Sequence, residues 1–150
     1  MSELKLLAMD AEDLEVVSAY TQDAVVRVGD MGFVPADRRF AFLMNRYAWE
    51  GEKPGSRPGK GERHRAAMHF DRVLSAKVSG IDQNAKDGVL NLLSITFDEG
   101  EAPAGTVLLS FAGGGTVQLE VECIEARLQD LGAAWRAKGR PAHDIDQKDA

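Results

Sequence analysis

Residues 107–121, VLLSFAGGGTVQLEV, have the pattern of a β-hairpin and decide the fold class. Every second residue is apolar in the first arm, at positions 107, 109 and 111, and again in the second arm, at 117, 119 and 121. Three consecutive glycines, 113–115, supply the unrestricted backbone that a tight turn needs. One face of each arm should therefore belong to the core of a sheet.

Further strands are predicted upstream of this hairpin, including Val89 to Phe97, in which Leu93, Ile95 and Phe97 alternate. From Arg39 to Trp49, and again along one long strand from about Arg63 to Ser79, the apolar residues fall mainly at even positions. Alternate residues of a strand face opposite sides, so the even positions should face the core. The odd positions of the first strand include Leu43 and Trp49, and we expect this second face to be partly covered by a helix or by a second subunit.

Helical patterns flank the strands. Asp10, followed by acidic residues, predicts the cap and first turn of an N-terminal helix. Beyond Val121 the apolar residues are Ile124, Leu128, Leu131 and Trp135, whose spacing forms one stripe on a helix. We predict an α+β fold of about six to eight antiparallel strands in a curved sheet or small barrel. The N-terminal helix and a closing C-terminal helix would make it similar to a pleckstrin-homology-like roll.

The length of 150 residues predicts a single domain. We place this domain at 1–141, with a mobile loop at 51–62 that is rich in glycine and charge, and a frayed tail at 142–150. Cys123 is the one cysteine, which excludes an intramolecular disulfide and any multi-cysteine metal site. We expect no cofactor and no metal.

Net charge and hydropathy argue against several classes of protein. The formal charge of −6 argues against a broad nucleic-acid surface. No segment approaches the ~20 apolar residues of a membrane span. Residues 1–10 lack the cationic start of a signal peptide, so we expect a cytoplasmic protein.

The charge is unevenly distributed along the chain. Residues 38–77 contain ten Lys and Arg against four Asp and Glu, a local charge of +6 that leaves −12 for the rest. We therefore predict that an unknown protein or an anionic ligand docks near the basic loop, residues 50–65. The candidate binding residues are Arg57, Lys60, Arg63, Arg65 and Trp49.

Arg46 and Arg72 stand at even positions on otherwise apolar strand faces. A buried arginine needs a carboxylate or an anionic ligand. If the two strands pair across the loop, Arg46 lies opposite about Ala66, roughly 20 Å from Arg72. We therefore favour two separate buried ion pairs over one binding clamp.

His69 and Asp71 share a strand face, and the aspartate could orient the histidine as a base. No serine or cysteine nucleophile is placed beside them by the sequence. We assign no catalytic residue.

Several segments resemble a bacterial family, domain-of-unknown-function family 2948. They are LLAMDAEDL at 6–14, RRF at 38–40 with NRYAWE at 45–50, HFDRV at 69–73, and LEVECIEA at 119–126 with DLG at 130–132. The resemblance covers nearly the whole chain. It implies no activity, catalytic residue or cofactor.

The absence of a catalytic constellation favours a non-enzymatic interaction or binding module. The alternative is a small-molecule-binding protein or an enzyme that uses the interior of the roll or the His69–Asp71 face. A homo-oligomer is compatible with either function.

Overall fold

The computed structural model describes residues 4–47 and 63–131, which form ten β-strands and one α-helix. The helix is α1 (Ala11–Tyr20). The strands are β1 (Lys5–Ala8), β2 (Val25–Arg27), β3 (Met31–Val34), β4 (Arg39–Tyr47), β5 (Arg63–Phe70), β6 (Val73–Ser79), β7 (Val89–Glu99), β8 (Gly105–Phe111), β9 (Thr116–Val121) and β10 (Ala126–Asp130). The chain is an α+β protein with more strands than predicted. Within these residues no helix is long and apolar enough to cross a membrane.

All strands pair antiparallel in one open sheet, in the order β1-β10-β5-β4-β2-β7-β8-β9-β6, with β3 paired to β4 off this path. The single long strand predicted from about Arg63 to Ser79 is wrong. It divides at Asp71 and Arg72, because Arg72 adopts the left-handed conformation with φ of 64°. β5 then pairs with β4 and β10, whereas β6 pairs with β9.

The hairpin prediction at 107–121 is confirmed. β8 and β9 pair with Ser110 opposite Thr116, and Gly113 and Gly114 take φ values of 91° and 98° in the turn. The alternating apolar residues of both arms are buried in the core. The even positions Phe40, Phe42 and Met44 of β4 are buried there too, as predicted.

The prediction of a closing C-terminal helix is wrong over the residues that the structure describes, which end at 131. Residues 126–130 form β10, which lies between β1 and β5, with Leu128 opposite Leu6 and Met68. As a strand, this segment supplies backbone hydrogen bonds to two neighbours, which a helix could not do. Trp135, the whole of the predicted mobile loop at 51–62 and the predicted tail at 142–150 lie outside the described residues.

The predicted N-terminal helix is confirmed. The Asp10 side chain accepts a hydrogen bond from the backbone N–H of Asp13 at 2.8 Å and caps α1. Leu14 and Val17 are buried, and the helix packs against β1 and β7. The Ser18 hydroxyl accepts a hydrogen bond from the N–H of Ile95 at 2.9 Å. α1 therefore joins the first strand of the sheet to a central one.

Candidate functional site

Strands β1, β10, β5, β4 and β2 lie side by side, and their pleat separates a core side from an outward side, which we call the outer face. Paired residues share a face, so the register assigns each strand position. Six basic residues occupy outward strand positions: Lys5, Arg27, Arg39, Arg63, Arg65 and Arg127. None of the outward positions on these described strands carries a carboxylate. The outer face is therefore basic although the chain is acidic.

Two of the five sequence-predicted binding residues lie on the outer face. Arg63 donates a hydrogen bond to the Asn45 carbonyl at 3.2 Å, and its guanidinium carbon lies 5.9 Å from the centroid of the Tyr47 ring. Arg65 lies 3.7 Å from the Asp30 carboxylate. Trp49, Arg57 and Lys60 lie outside the described residues. Residues 48–62 join Tyr47 to Arg63, which are opposite each other in the sheet.

Two carboxylates from flanking turns neutralise part of this charge. Asp30 lies 3.7 Å from the Nε of Arg27 as well as near Arg65. Asp71 accepts a 2.7 Å hydrogen bond from the Nε of Arg39, and this bond raises the pKa of Arg39 above its ordinary value. In the part of the chain that the structure describes, Lys5, Arg63 and Arg127 have no carboxylate partner.

A shallow recess of about 180 Å³ lies on the outer face between β4 and β5. The residues of the outer face and its flanking turn that line it are Asp30, Arg39, Ala41, Leu43, Ala67 and His69, and Phe42 and Met68 complete the lining. Ala41 and Ala67 are short, whereas their neighbours on the same face are long. This difference in height makes the depression, because side chains stand roughly perpendicular to a sheet. The recess combines an apolar floor with charged groups at its rim.

His69 stands at the rim of the recess beside Asp71. Its Nδ1 lies 3.5 Å from a carboxylate oxygen of Asp71 but makes no hydrogen bond to any described residue. Burial lowers the pKa of His69, Arg39 and Arg127 lower it further, and the opposing effect of Asp71 and Glu125 is smaller. The imidazole is therefore neutral at pH 7. His64 lies on the other face of β5, opposite Arg46.

The core side of the same strands carries a polar cluster around Arg46. This arginine is fully buried, and its Nε and Nη2 donate to the two carboxylate oxygens of Asp130 at 2.8 and 2.9 Å. One of these oxygens also lies 3.2 Å from the Nδ1 of His64 and accepts a hydrogen bond from the N–H of Leu4. Side chains of β4, β5 and β10 are therefore linked by this cluster.

Burial by itself raises the pKa of Asp130. Hydrogen bonds from Arg46, His64 and the Leu4 N–H outweigh that effect and hold the pKa below its ordinary value. The carboxylate is therefore charged at pH 7.

Arg72 differs from Arg46, and its expected burial is wrong. Its side chain is 56% exposed and pairs with Glu125 at 3.3 Å, because the left-handed turn carries it off the strand face. The two arginines make separate ion pairs. Arg46 lies opposite His64, two residues from the expected Ala66.

Sequence reasoning did not find Asp130, because residues 124–135 were assigned to a helix. A signal was present in the alternation of Ala126, Leu128 and Asp130 with Arg127 and Gln129.

Comparison with known proteins gives one result. Neither a curated protein nor a solved structure matches the chain. The family model described as "Protein of unknown function (DUF2948)" matches residues 4–143, nearly the whole length. The resemblance carried by the four regions of sequence is thereby confirmed, and the chain belongs to the DUF2948 family.

Proposed function

We propose that this protein is a non-enzymatic binding module whose outer face docks an acidic surface of a partner protein. The observation that carries the proposal is the segregation of charge: the outward positions of the described strands β1, β10, β5, β4 and β2 hold six basic residues and no carboxylate, whereas the net charge of the chain is −6. Complementary charge steers encounter and selects partners.

The outer-face cations that have no carboxylate partner among the described residues are the best placed to meet such a surface. Lys5, Arg63 and Arg127 are all exposed. An exposed ion pair contributes ~0.2–1 kcal/mol, so three would contribute ~0.6–3 kcal/mol. Millimolar affinity already corresponds to ~4 kcal/mol. Charge alone therefore gives weak binding, and docking needs apolar contacts as well.

We include Trp49, Arg57 and Lys60 in the proposed docking region. The argument is one of sequence connection, since residues 48–62 join Tyr47 of β4 to Arg63 of β5. They would add a large aromatic side chain and two cations to the basic edge. The cytoplasm remains the proposed location.

The test is affinity purification from the native host with two charge-reversed variants. Arg63→Glu with Arg127→Glu reverses two outer-face cations. Lys77→Glu with Lys86→Glu is the matched control, because these exposed lysines are outside the outer face and the net charge changes equally. We expect the wild type and the control to retain the same proteins, identified by mass spectrometry, and the outer-face variant to lose them. Retention by all three baits, or by none, would refute the proposal.

A small-molecule site at the recess is the second candidate, and one observation favours it: a neutral His69 whose buried Nδ1 makes no hydrogen bond. On the inward face of the proposed roll, Phe42, Phe70 and Phe111 are buried, and a smaller recess of about 140 Å³ lies beside Phe33, Phe40 and Val78. Mass spectrometry of metabolites released from the purified protein tests this candidate. A compound retained by the wild type and lost in His69→Leu would support it, and equal retention would count against it.

A further inference from the structure

We infer that the recess receives one apolar side chain of the acidic partner, so that the partner presents an extended acidic segment with a single central aromatic or large aliphatic residue. This inference rests on the proposed function and specifies the chemistry of the partner. It follows from the size of the recess, from the charges at its rim and from the positions of the unpaired cations.

The size of the recess suits one ring. Its volume is about 180 Å³. A cavity of ~150 Å³ lined by apolar side chains is large enough for benzene. The floor formed by Ala41 and Ala67 would contact the face of such a ring, and Leu43 would contact its edge. A buried aromatic anchor in a pocket is the usual centre of a protein interface.

The charges at the rim explain why the anchor is uncharged. Asp30 is near Arg27 and Arg65, and Asp71 is hydrogen-bonded to Arg39. The charges of Arg27, Arg39 and Arg65 beside the recess are therefore already partly neutralised. A carboxylate placed in the recess itself would compete with those pairs and gain little.

The cations that have no carboxylate partner among the described residues lie beside the recess on β10 and β1 and along β5, at distances that an extended peptide can reach. Arg127 is directly opposite His69 on the next strand, ~5 Å away. Lys5 lies two strands from Ala67, ~10 Å away, and Arg63 lies four residues along β5, ~13 Å away. In an extended peptide, side chains on one side repeat every ~7 Å. Carboxylates two to four residues from the anchor would therefore meet these cations.

The experiment uses the full chain and two synthetic probe peptides, acetyl-EDEDFDEDE-amide and acetyl-EDEDADEDE-amide. Titration at low ionic strength, followed by calorimetry, gives both affinities. We expect the phenylalanine peptide to bind about tenfold more tightly, because only it buries a ring. Ala67→Leu fills the recess and should reduce the affinity for the phenylalanine peptide to that for the alanine peptide, which should itself be unaffected.

The outcomes separate this inference from the proposed function. Equal affinity of the wild type for both peptides would overturn the anchor and leave acidic docking in place. Failure of the wild type to bind either peptide would overturn both. Equally tight binding of an uncharged peptide, acetyl-SGSGFGSGS-amide, would overturn the acidic partner. If circular dichroism shows that Ala67→Leu does not fold, Ala41→Leu fills the recess from the neighbouring strand.

Discussion

Basic side chains lie on both faces of β4 and β5, and the two faces use them differently. On the core side, Arg46 is fully buried and both of its hydrogen bonds to Asp130 are shorter than 3 Å. On the outer face, Arg63 and Arg65 are partly or fully open to solvent, and Arg63 has no carboxylate partner among the described residues. Arg46 lies opposite His64, and Arg63 and Arg65 are the residues immediately before and after His64 on β5.

Successive residues of a strand face opposite sides of the sheet. This contrast shows that the side on which an arginine lies determines whether it is paired in the core or exposed to solvent. A buried charge is tolerated only when it is paired and hydrogen-bonded. An exposed charge has no such requirement and remains able to meet another molecule. The core side should therefore govern stability, and the outer face should govern binding.

The largest expected effect is on the core side. Asp130→Ala removes the carboxylate that faces the buried guanidinium of Arg46, and a broken buried pair is destabilising by ~3–5 kcal/mol. Urea denaturation measures the free energy of unfolding. The double variant Arg46→Met with Asp130→Leu is the control, since it removes both charges and should lose less than the single variant. A loss below ~1 kcal/mol in Asp130→Ala would contradict a structural role for the pair.

The next prediction separates the strand β10 from the helix expected over the same residues. Leu128 is 0% exposed and Leu131 is 45% exposed, although both belong to the helical stripe in the sequence. Leu128→Ala should lower the free energy of unfolding by ~2–5 kcal/mol. Leu131→Ala should lower it by ~1 kcal/mol or less. Similar losses in the two variants would favour the helix, in which both leucines face the core.

Local patterns allowed part of the fold to be predicted. The hairpin at 107–121 was recognised because its alternation and its turn lie within fifteen residues. The β10 segment was not, because Leu128 fits both a period of two and a helical stripe. What decides between them is the pairing with β1 and β5, which are far away in the sequence.

Bulges also escaped prediction. Leu74 and Leu93 were expected on the core face because constant alternation was assumed. Each lies where the register shifts, and they are 53% and 46% exposed. A bulge inserts one extra residue into a strand, so the strict alternation between the core face and the solvent face is broken at that point.

The candidate site was predicted only where it is local. Arg63 and Arg65 belong to the basic segment and were named. Lys5 and Arg127 join them through strand pairing between distant parts of the chain, which composition does not reveal. For Arg46, the need for a carboxylate was predicted but its partner, 84 residues away, was not.

A third prediction concerns pH. The folded pKa of Asp130 is lowered, whereas in the unfolded chain it is ~3.9. The pair therefore stabilises the fold fully above about pH 4, and this contribution is lost as the pH falls through the folded pKa. We expect the advantage of the wild type over Asp130→Asn in urea denaturation to shrink as the pH falls below about 4. An advantage that is constant or grows toward low pH would contradict the charged pair.

The smallest expected effect belongs to the outer face. Arg63→Glu with Arg127→Glu should change the free energy of unfolding by only ~1 kcal/mol or less, because both side chains are exposed and neither meets a carboxylate among the described residues. The contacts at risk are the hydrogen bond from Arg63 to the Asn45 carbonyl and the approach of its guanidinium to Tyr47. The single variant Arg63→Gln measures how much these two contacts contribute to the free energy of unfolding. A loss of several kcal/mol in the double variant would mean that the outer cations maintain the fold. A stable variant that no longer binds the acidic probe peptide would separate binding from stability on a single sheet.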